Sequence, residues 1–393
     1  MRRIVALQVL ALGFGLGLPG LLPRPVHGQW HADARAEGSL FANRAAVSRL
    51  PAPEASLVFH ALGSVEWDAG RQWLDLEPFL RLDLVSGERT RLDLRQASWT
   101  IARGRWELLA GVTERYWGVV ESRRVVDVIN QWYSVGSVAG YEKLGQPMLR
   151  AVNRSDLGTF EVMLLPLFRE RPFAGSAGHL WSPLPVDDDR VAYLSGSGGL
   201  RPDFAIRWSH SLGNIDLGLA HFGGTNRDPW FESRVDDADL PVLAPVYART
   251  DRTSLDVQWT SGGWLWKAEA MTATAPESRY GAAAAGLEHA FADYLSAFVE
   301  YAYDSRGSEA TTSYEHDVYV GGRLLHHEGS IEANLFVDTD SGNRIVGFGL
   351  RQRLTDRLTL DLEARGFMGD AQREPGFAPR QGSFLAVTLT AYY

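Results

Sequence analysis

Beyond residue 28 the chain alternates apolar and polar positions with a period of two. From Trp73 to Leu84, Leu74, Leu76, Leu80, Leu82 and Leu84 share one face, and Asp75, Glu77, Arg81 and Asp83 share the other. Residues 358–365 repeat the pattern, with Leu358, Leu360, Leu362 and Ala364 against Thr359, Asp361, Glu363 and Arg365. Residues 331–338 do so again. Alternation of this kind marks a β-strand with one apolar and one polar face. It predicts strands near 34–45, 56–68, 72–85, 90–102, 105–117, 148–155, 159–170, 201–212 and 214–225. The series continues at 249–261, 264–274, 280–291, 295–304, 314–326, 330–338, 343–354, 357–368 and 382–393, which makes 18, with 16 as the alternative count. Many run well beyond the roughly five or six residues of a soluble strand, and suit strands that cross a bilayer at a tilt.

The connections alternate too. Tight turns are expected at Asp68–Arg71, Ala102–Gly104, Ser155–Gly158, Leu212–Asn214, Ser261–Gly263, Ala292–Tyr294, His327–Gly329 and Thr355–Arg357. Long connections fall at 118–147, 171–200, 226–248, 305–313 and 369–381. Short turns at one end and longer loops at the other fit an all-β fold, a transmembrane antiparallel up-and-down β-barrel of the bacterial outer membrane, with lipid outside and a polar lumen. A closed barrel is also the only spanning solution besides a helix, and after residue 28 no apolar run approaches the roughly 20 residues a helix needs.

The N-terminus changes the picture. Arg2 and Arg3 precede an apolar run to Leu22, followed by Pro23, Pro25 and Val26-His27-Gly28, the layout of a signal peptide over 1–28. Its removal leaves a barrel over 29–393, and the loss of Arg2, Arg3 and Arg24 takes the net charge from −9 to −12. A strongly acidic chain is no general nucleic-acid binder. The absence of cysteine excludes a disulfide framework and thiolate chemistry. The closing segment Phe384–Tyr393, with Leu385, Val387, Leu389, Ala391 and Tyr393 on one face, reads as a recognition strand for the outer-membrane barrel assembly machinery, with Tyr393 as the assembly signal.

Candidate chemistry is sparse. The adjacent His210 and Ser211 leave a strand on opposite faces and Ser–His pairs across strands stay open, but no catalytic constellation stands out, so no catalytic role, cofactor or metal site is expected. Alternation directs Arg81, Arg91, Asp93, Arg95, Glu107 and Arg115 into the lumen as candidate selectivity residues. The arginines of 81–95 suit either an anionic solute or a ladder of cross-strand ion pairs with Asp75, Asp83 and Asp93. The connection 118–147 is long enough to fold inward and narrow a pore. Asp127, Asn130, Lys143 and Gln146 are its candidate gating residues, and Val125–Asn130 is expected to form a short amphipathic helix. The acidic runs Asp187–Asp189 and Asp236–Asp239 suit either divalent cations or a solvated loop.

Leu94-Arg95-Gln96-Ala97, Trp106-Glu107-Leu108, Trp117-Gly118 and Asp127-Val128-Ile129-Asn130 together resemble the outer-membrane channels typified by the alginate exporter and the related DUF1302-type barrels. Gly111-Val112-Thr113 stands where that family has Gly-Arg-Gln. The resemblance covers about residues 91–130 and implies a barrel of about 18 strands that passes a polar small-molecule or polymeric solute. The expected partners are therefore outer-membrane lipid, the assembly machinery and that solute. The competing expectation is a barrel enzyme or surface-binding barrel working through loops 171–200 and 226–248.

Overall fold

The computed structural model describes residues 27–41, 53–85, 87–133, 142–173, 184–196, 198–276, 278–307, 310–311, 315–369 and 383–393. The expected signal peptide lies outside them up to residue 26, and the expected cleavage after Gly28 falls just inside the first strand.

The strands are β1 (His27–Phe41), β2 (Pro53–Trp67), β3 (Gln72–Asp83), β4 (Arg91–Arg103), β5 (Trp106–Thr113), β6 (Gln146–Ser155), β7 (Gly158–Leu165), β8 (Ala192–Tyr193), β9 (Asp203–Leu212), β10 (Ile215–Thr225) and β11 (Trp230–Val235). They continue as β12 (Pro241–Tyr247), β13 (Arg249–Ser261), β14 (Trp264–Thr274), β15 (Arg279–Ala292), β16 (Leu295–Asp304), β17 (His316–His326), β18 (Gly329–Asp338), β19 (Arg344–Thr355), β20 (Leu358–Met368) and β21 (Phe384–Tyr392). All but β8, β11 and β12 form one 18-stranded sheet. Each strand pairs antiparallel with the next, β7 meets β9, β10 meets β13, and β21 returns to β1 and closes the barrel. Tyr393 N donates to the Ala32 carbonyl at 2.9 Å and extends that seam. Closure leaves no unpaired edge.

Alternation sets the two faces. Outward positions expose large apolar side chains such as Leu74, Leu92, Leu108, Val162, Ile206, Leu255, Val320 and Leu389. Aromatic residues gather toward the tight-turn end of this outer face: Trp106, Trp264, Phe291 and Tyr294 are all exposed. Trp264 lies 4.2 Å from the His289 ring. Tyr301, Tyr303 and Phe204 are exposed toward the other end. His27, Tyr393 and the tight turns lie at one end, and the long connections lie at the other.

Three expectations need correction. The strand expected over 105–117 ends at Thr113. The backbone N–H groups beyond it are diverted from the ladder, Arg115 N to Asn130 Oδ1 at 2.8 Å and Trp117 N to Asp127 Oδ1 at 3.4 Å. Val125–Asn130 is not a helix but a series of turns. Val125 N donates to the Arg123 carbonyl at 2.9 Å, and Val126 N goes to a carboxylate of the far wall instead of an earlier carbonyl of its own segment. β11 and β12 fall within the connection expected over 226–248. They pair antiparallel, and β12 pairs parallel with β8, in a small sheet built from the long connections.

Candidate functional site: a lumen divided by an inward loop

The connection from β5 to β6 enters the barrel and crosses to the opposite wall. Glu269 on β14 receives it there: Val119 N donates to Oε1 at 2.5 Å, Val120 N to Oε1 at 2.9 Å, and Val126 N to Oε2 at 3.0 Å. Glu300 on β16 accepts from Glu121 N at 2.9 Å and from Ser122 N at 2.7 Å. Two inward carboxylates thus satisfy five backbone N–H groups that no ladder serves, and buried N–H groups must find such partners. Gly118 permits the approach. Its φ is +106°, and a Cβ there would come within 2.4 Å of Glu269 Oε1.

Apolar packing completes the crossing. Trp117, Val126, Val128 and Ile129 bury themselves against the inward residues Met148, Met163, Leu165, Ala205, Ala220 and Phe222 of β6, β7, β9 and β10. Val120 and Val125 pack on Ala282, Ala284 and Ala302 of β15 and β16. Small inward side chains on that wall make room for the loop.

The four candidate gating residues hold the loop rather than face open water. Asn130 Nδ2 donates to the carbonyls of Thr113 at 3.0 Å and Leu144 at 2.8 Å, tying the loop's two ends together. Lys143 Nζ donates to Asp127 Oδ2 at 2.5 Å and to the Arg115 carbonyl at 2.6 Å, and lies 4.0 Å from the Tyr116 ring centre. The side chains of Lys143 and Asp127 are 0% and 1% exposed. Burial pushes the Asp127 carboxyl up and the Lys143 ammonium down, and their mutual attraction opposes both shifts. Gln146 Nε2 donates to the Leu167 carbonyl at 2.6 Å. Residues 131–133 and 142–144 pair as a short hairpin through Trp132 and Lys143.

A second layer locks the first. Arg227 donates to the Ile129 carbonyl through Nε at 3.1 Å and Nη2 at 2.9 Å, and to Asp203 Oδ2 at 2.7 Å. Arg171 reaches Gln131 Oε1 at 3.2 Å and Asp228 Oδ1 at 2.7 Å. Phe168, Tyr193 and Tyr247 cluster behind these arginines, with Phe168 edge-on to both tyrosines and its ring centred 4.9 Å from that of Tyr247. The described residues of the connections 166–202 and 226–248 therefore brace the inward loop.

The other half of the lumen keeps free space among the described residues. A cavity of about 560 Å³ runs beside β1, β2 and β18–β21. It is lined by Glu37, Glu54, Glu142, Glu332, Asp361 and Glu363 and by Arg35, Arg89, Arg351 and Arg365, with Ser39, Ser56, Asn334 and Thr388 between them. Each carboxylate has a cation: Arg351 Nε donates to Asp361 at 2.6 Å, Arg365 Nε lies 2.8 Å from Glu363, and Arg323 is 3.4 Å from Glu332.

The arginines of 81–95 are paired likewise. Arg81 lies 2.8 Å from Glu37, Arg89 joins Glu54 and Asp83, Arg91 lies 3.2 Å from Asp93, and Arg95 Nη2 donates to Glu142 at 2.7 Å. The three acids are not cross-strand rungs: Asp83 meets Arg89 of the β3–β4 connection, Asp93 meets Arg91 on its own strand and Arg169 of a long connection at 2.8 Å, and Asp75 accepts from Gln96 at 3.2 Å. A β-bulge at Pro78 and Leu94 leaves Arg95 outside the β3–β4 register. Its guanidinium sits 4.1 Å from the Phe79 ring centre. Bulges commonly re-aim a side chain in this way. Glu107 accepts from Arg150 at 2.7 Å and Arg154 at 3.0 Å, and Arg115 reaches Glu161 at 3.1 Å.

Sequence reading missed Glu142, the loop carboxylate at the cavity edge, and His60, whose two ring nitrogens each lie 2.8 Å from a carboxylate, Asp33 and Glu77. Alternation also puts Glu269 and Glu300 on the lumen face, but says nothing of their task. Nothing local marks that task, because their partners lie some 150 residues or more away. The acidic runs are tied within the loops. Asp187 caps a short turn and, with Asp237, holds Arg190, while Asp236 Oδ1 accepts from Ala238 N and Leu240 N at 2.8 and 2.9 Å. Among the described residues no group of three acids or histidines converges as a metal site.

No family model matches the chain, and no curated protein does. Solved structures of engineered variants of the Rhodopseudomonas blastica porin are similar. One gives a TM-score of 0.47 at 12% identity, covering 93% of this chain and 100% of the porin. Another gives 0.46 at 11% identity over the same shares.

Proposed function

We propose that the protein is a non-enzymatic outer-membrane channel for polar solutes, and that solute passes through the half of the lumen lined by β1, β2 and β18–β21. The observation that carries this reading is the divided lumen: an inward loop fastened to Glu269 and Glu300, with a charged cavity of about 560 Å³ left beside it. The apolar outer face with aromatic residues toward its ends supports a membrane setting. Export through a signal peptide, lipid around the barrel and recognition of β21 and Tyr393 by the assembly machinery belong to the same proposal.

The lining informs the solute. Charges are dense but matched, so the passage presents local dipoles rather than a ring of one sign. That favours neutral polar or zwitterionic solutes and disfavours the anion-collecting reading of Arg81, Arg91 and Arg95. The resemblance to the alginate-exporter type supports solute passage in general, and its Trp117-Gly118 and Asp127–Asn130 segments here belong to the loop's anchorage.

Planar-bilayer recording tests the reading. The expected result is a steady pore with near-equal permeability to potassium and chloride, enlarged when residues 119–142 are replaced by a short turn. A barrel that conducts in neither form would contradict it.

A further inference from the structure

His60 lies on β2 with Asp33 of β1 and Phe79 of β3 as its register partners. Its Nδ1 is 2.8 Å from Asp33 Oδ1, and its Nε2 is 2.8 Å from Glu77 Oε1. A carboxylate only accepts hydrogen bonds, and a neutral imidazole donates through one nitrogen alone. The trio therefore holds together only with a proton on both sides of the ring, as an imidazolium between two carboxylates supplies it. The side chain is 20% exposed, so lumen water reaches it and can exchange that proton.

A chain of contacts carries this group to the passage. Arg35 Nε donates to Asp33 Oδ2 at 2.8 Å, and its Nη1 lies 3.9 Å from Glu142 Oε1. Arg95 Nη2 donates to Glu142 Oε2 at 2.7 Å. Arg35 and Glu142 both line the cavity. Along the chain three carboxylates, Asp33, Glu77 and Glu142, stand against three cations, Arg35, Arg95 and His60, and the charges balance only while His60 keeps its proton. Neighbouring wall acids are matched without it: Glu37 lies 2.8 Å from Arg81, and Glu54 joins Arg89. Glu114 lies within electrostatic reach of Glu77 and Arg95, and accepts from the Tyr116 hydroxyl at 2.8 Å. Arginine keeps its charge at any ordinary pH, and carboxylates ordinarily titrate at about pH 4. The imidazole is the member of this chain that ordinarily titrates between about pH 5 and 8.

We propose that His60 is a selectivity-determining residue of the passage: its proton keeps the β1–β3 side of the lumen neutral, and loss of that proton leaves a carboxylate uncompensated and favours cations. The inference rests on the reading of the protein as a channel and names the group that tunes it. A neutral ring presents a lone pair to one of its two carboxylates, so that acid turns toward the water of the lumen, where its charge acts on passing ions. The passage is then balanced at neutral and lower pH and cation-preferring in alkali, with no change in its width required.

The test is the reversal potential of the full-length barrel in a potassium chloride gradient across a planar bilayer, read from about pH 6 to about pH 9. The potassium-to-chloride permeability ratio should rise by roughly two- to threefold in a single-proton step, and by more at low salt, where screening is weaker. His60→Gln, which keeps a hydrogen-bonding side chain without the charge, should hold the raised ratio at every pH. His60→Lys, which keeps the charge, should hold the low ratio. In histidine-labelled barrel in detergent, the nitrogen resonances that both variants lack should show two protonated ring nitrogens at the acid end and one at the alkaline end. A ratio indifferent to pH, an equal step in His60→Gln, or a His60 ring neutral throughout would overturn the inference and leave the channel reading standing. A barrel that conducts in no condition would overturn both. Should His60→Gln fail to fold, His60→Lys and the wild-type titration still decide.

Discussion

The two halves of the lumen hang on the same strand frame and differ in what their inward positions carry. Along β6, β7, β9, β10, β15 and β16 those positions hold Met148, Met163, Ala205, Ala220, Phe222 and Ala284, and the loop from β5 lies on them with its valines and Trp117. Along β1, β2 and β18–β21 they hold Glu37, Ser56, Asn334, Asp361, Arg365 and Thr388, and a cavity remains. The difference follows from ordinary burial. Apolar inward groups gain by excluding water, whereas charged ones keep it unless fully paired. Most of the crossing therefore lies on the apolar side, its returning residues Tyr133 and Leu144 pack on Val58 of β2 and Phe79 of β3, and Glu269 and Glu300 fix where it stops.

Removing the loop breaks the comparison most severely. With residues 119–142 replaced by a short turn, single-channel conductance should rise severalfold, because the packed half then opens as well. Breaking the buried pair comes next. Lys143→Met leaves Asp127 enclosed without its cation, and the unfolding midpoint followed by heat-dependent gel migration should drop by the equivalent of about 3 kcal/mol, in the range for a broken buried ion pair. Glu269→Ala orphans three N–H groups and should cost about 2–3 kcal/mol, with added current noise as the loop lifts. Gly118→Ala, which forces a Cβ onto the same carboxylate, should reproduce that noise. Glu269→Gln, which keeps a carbonyl acceptor, should fall between mutant and wild type.

Much of this fold is legible in the chain. The alternation places all 18 barrel strands, and β13, β14 and β16 match their expected bounds, each with a tight turn containing Gly or Asp at one end. The inward loop is legible in part. Its length and apolar content announce it, but not its destination, since Glu269 looks like any other lumen carboxylate until the loop's N–H groups are seen on it. The division of the lumen was also available: Met148, Ala205 and Ala220 are apolar at inward positions, which a uniformly wet interior would not favour. The small sheet was missed although Val242, Ala244 and Val246 alternate, because prolines at 241 and 245 read as loop.

Smaller effects sharpen the contrast. Asp361→Asn frees Arg351 in the open half and should move the reversal potential in a salt gradient toward anion preference, while Arg365→Gln should move it toward cations. Lys267→Met, beside the loop on the packed side, should leave it nearly unchanged. The smallest effect is acid sensitivity. Burial tends to raise the Asp228 carboxyl, but Arg171 and its neighbours more than offset this and hold it below its ordinary 3.8. A depressed carboxyl stabilises the fold above its unfolded value and loses that contribution as pH falls through its folded value. The loop brace should therefore persist at pH 7 and pH 5 and loosen only below 3.8, seen as faster proteolysis of the outer connections.

The central claim is that solute travels through the open half alone, and the chain's lack of cysteine allows a direct test. Single cysteines placed at Asn334 and Thr388, which line the cavity, and at Ala205 and Ala220, which lie under the loop, can each be exposed to a charged thiol reagent during bilayer recording. The account predicts stepwise loss of current for Asn334→Cys and Thr388→Cys and no change for Ala205→Cys and Ala220→Cys. Block at the two alanine positions, with none at Asn334 and Thr388, would contradict it.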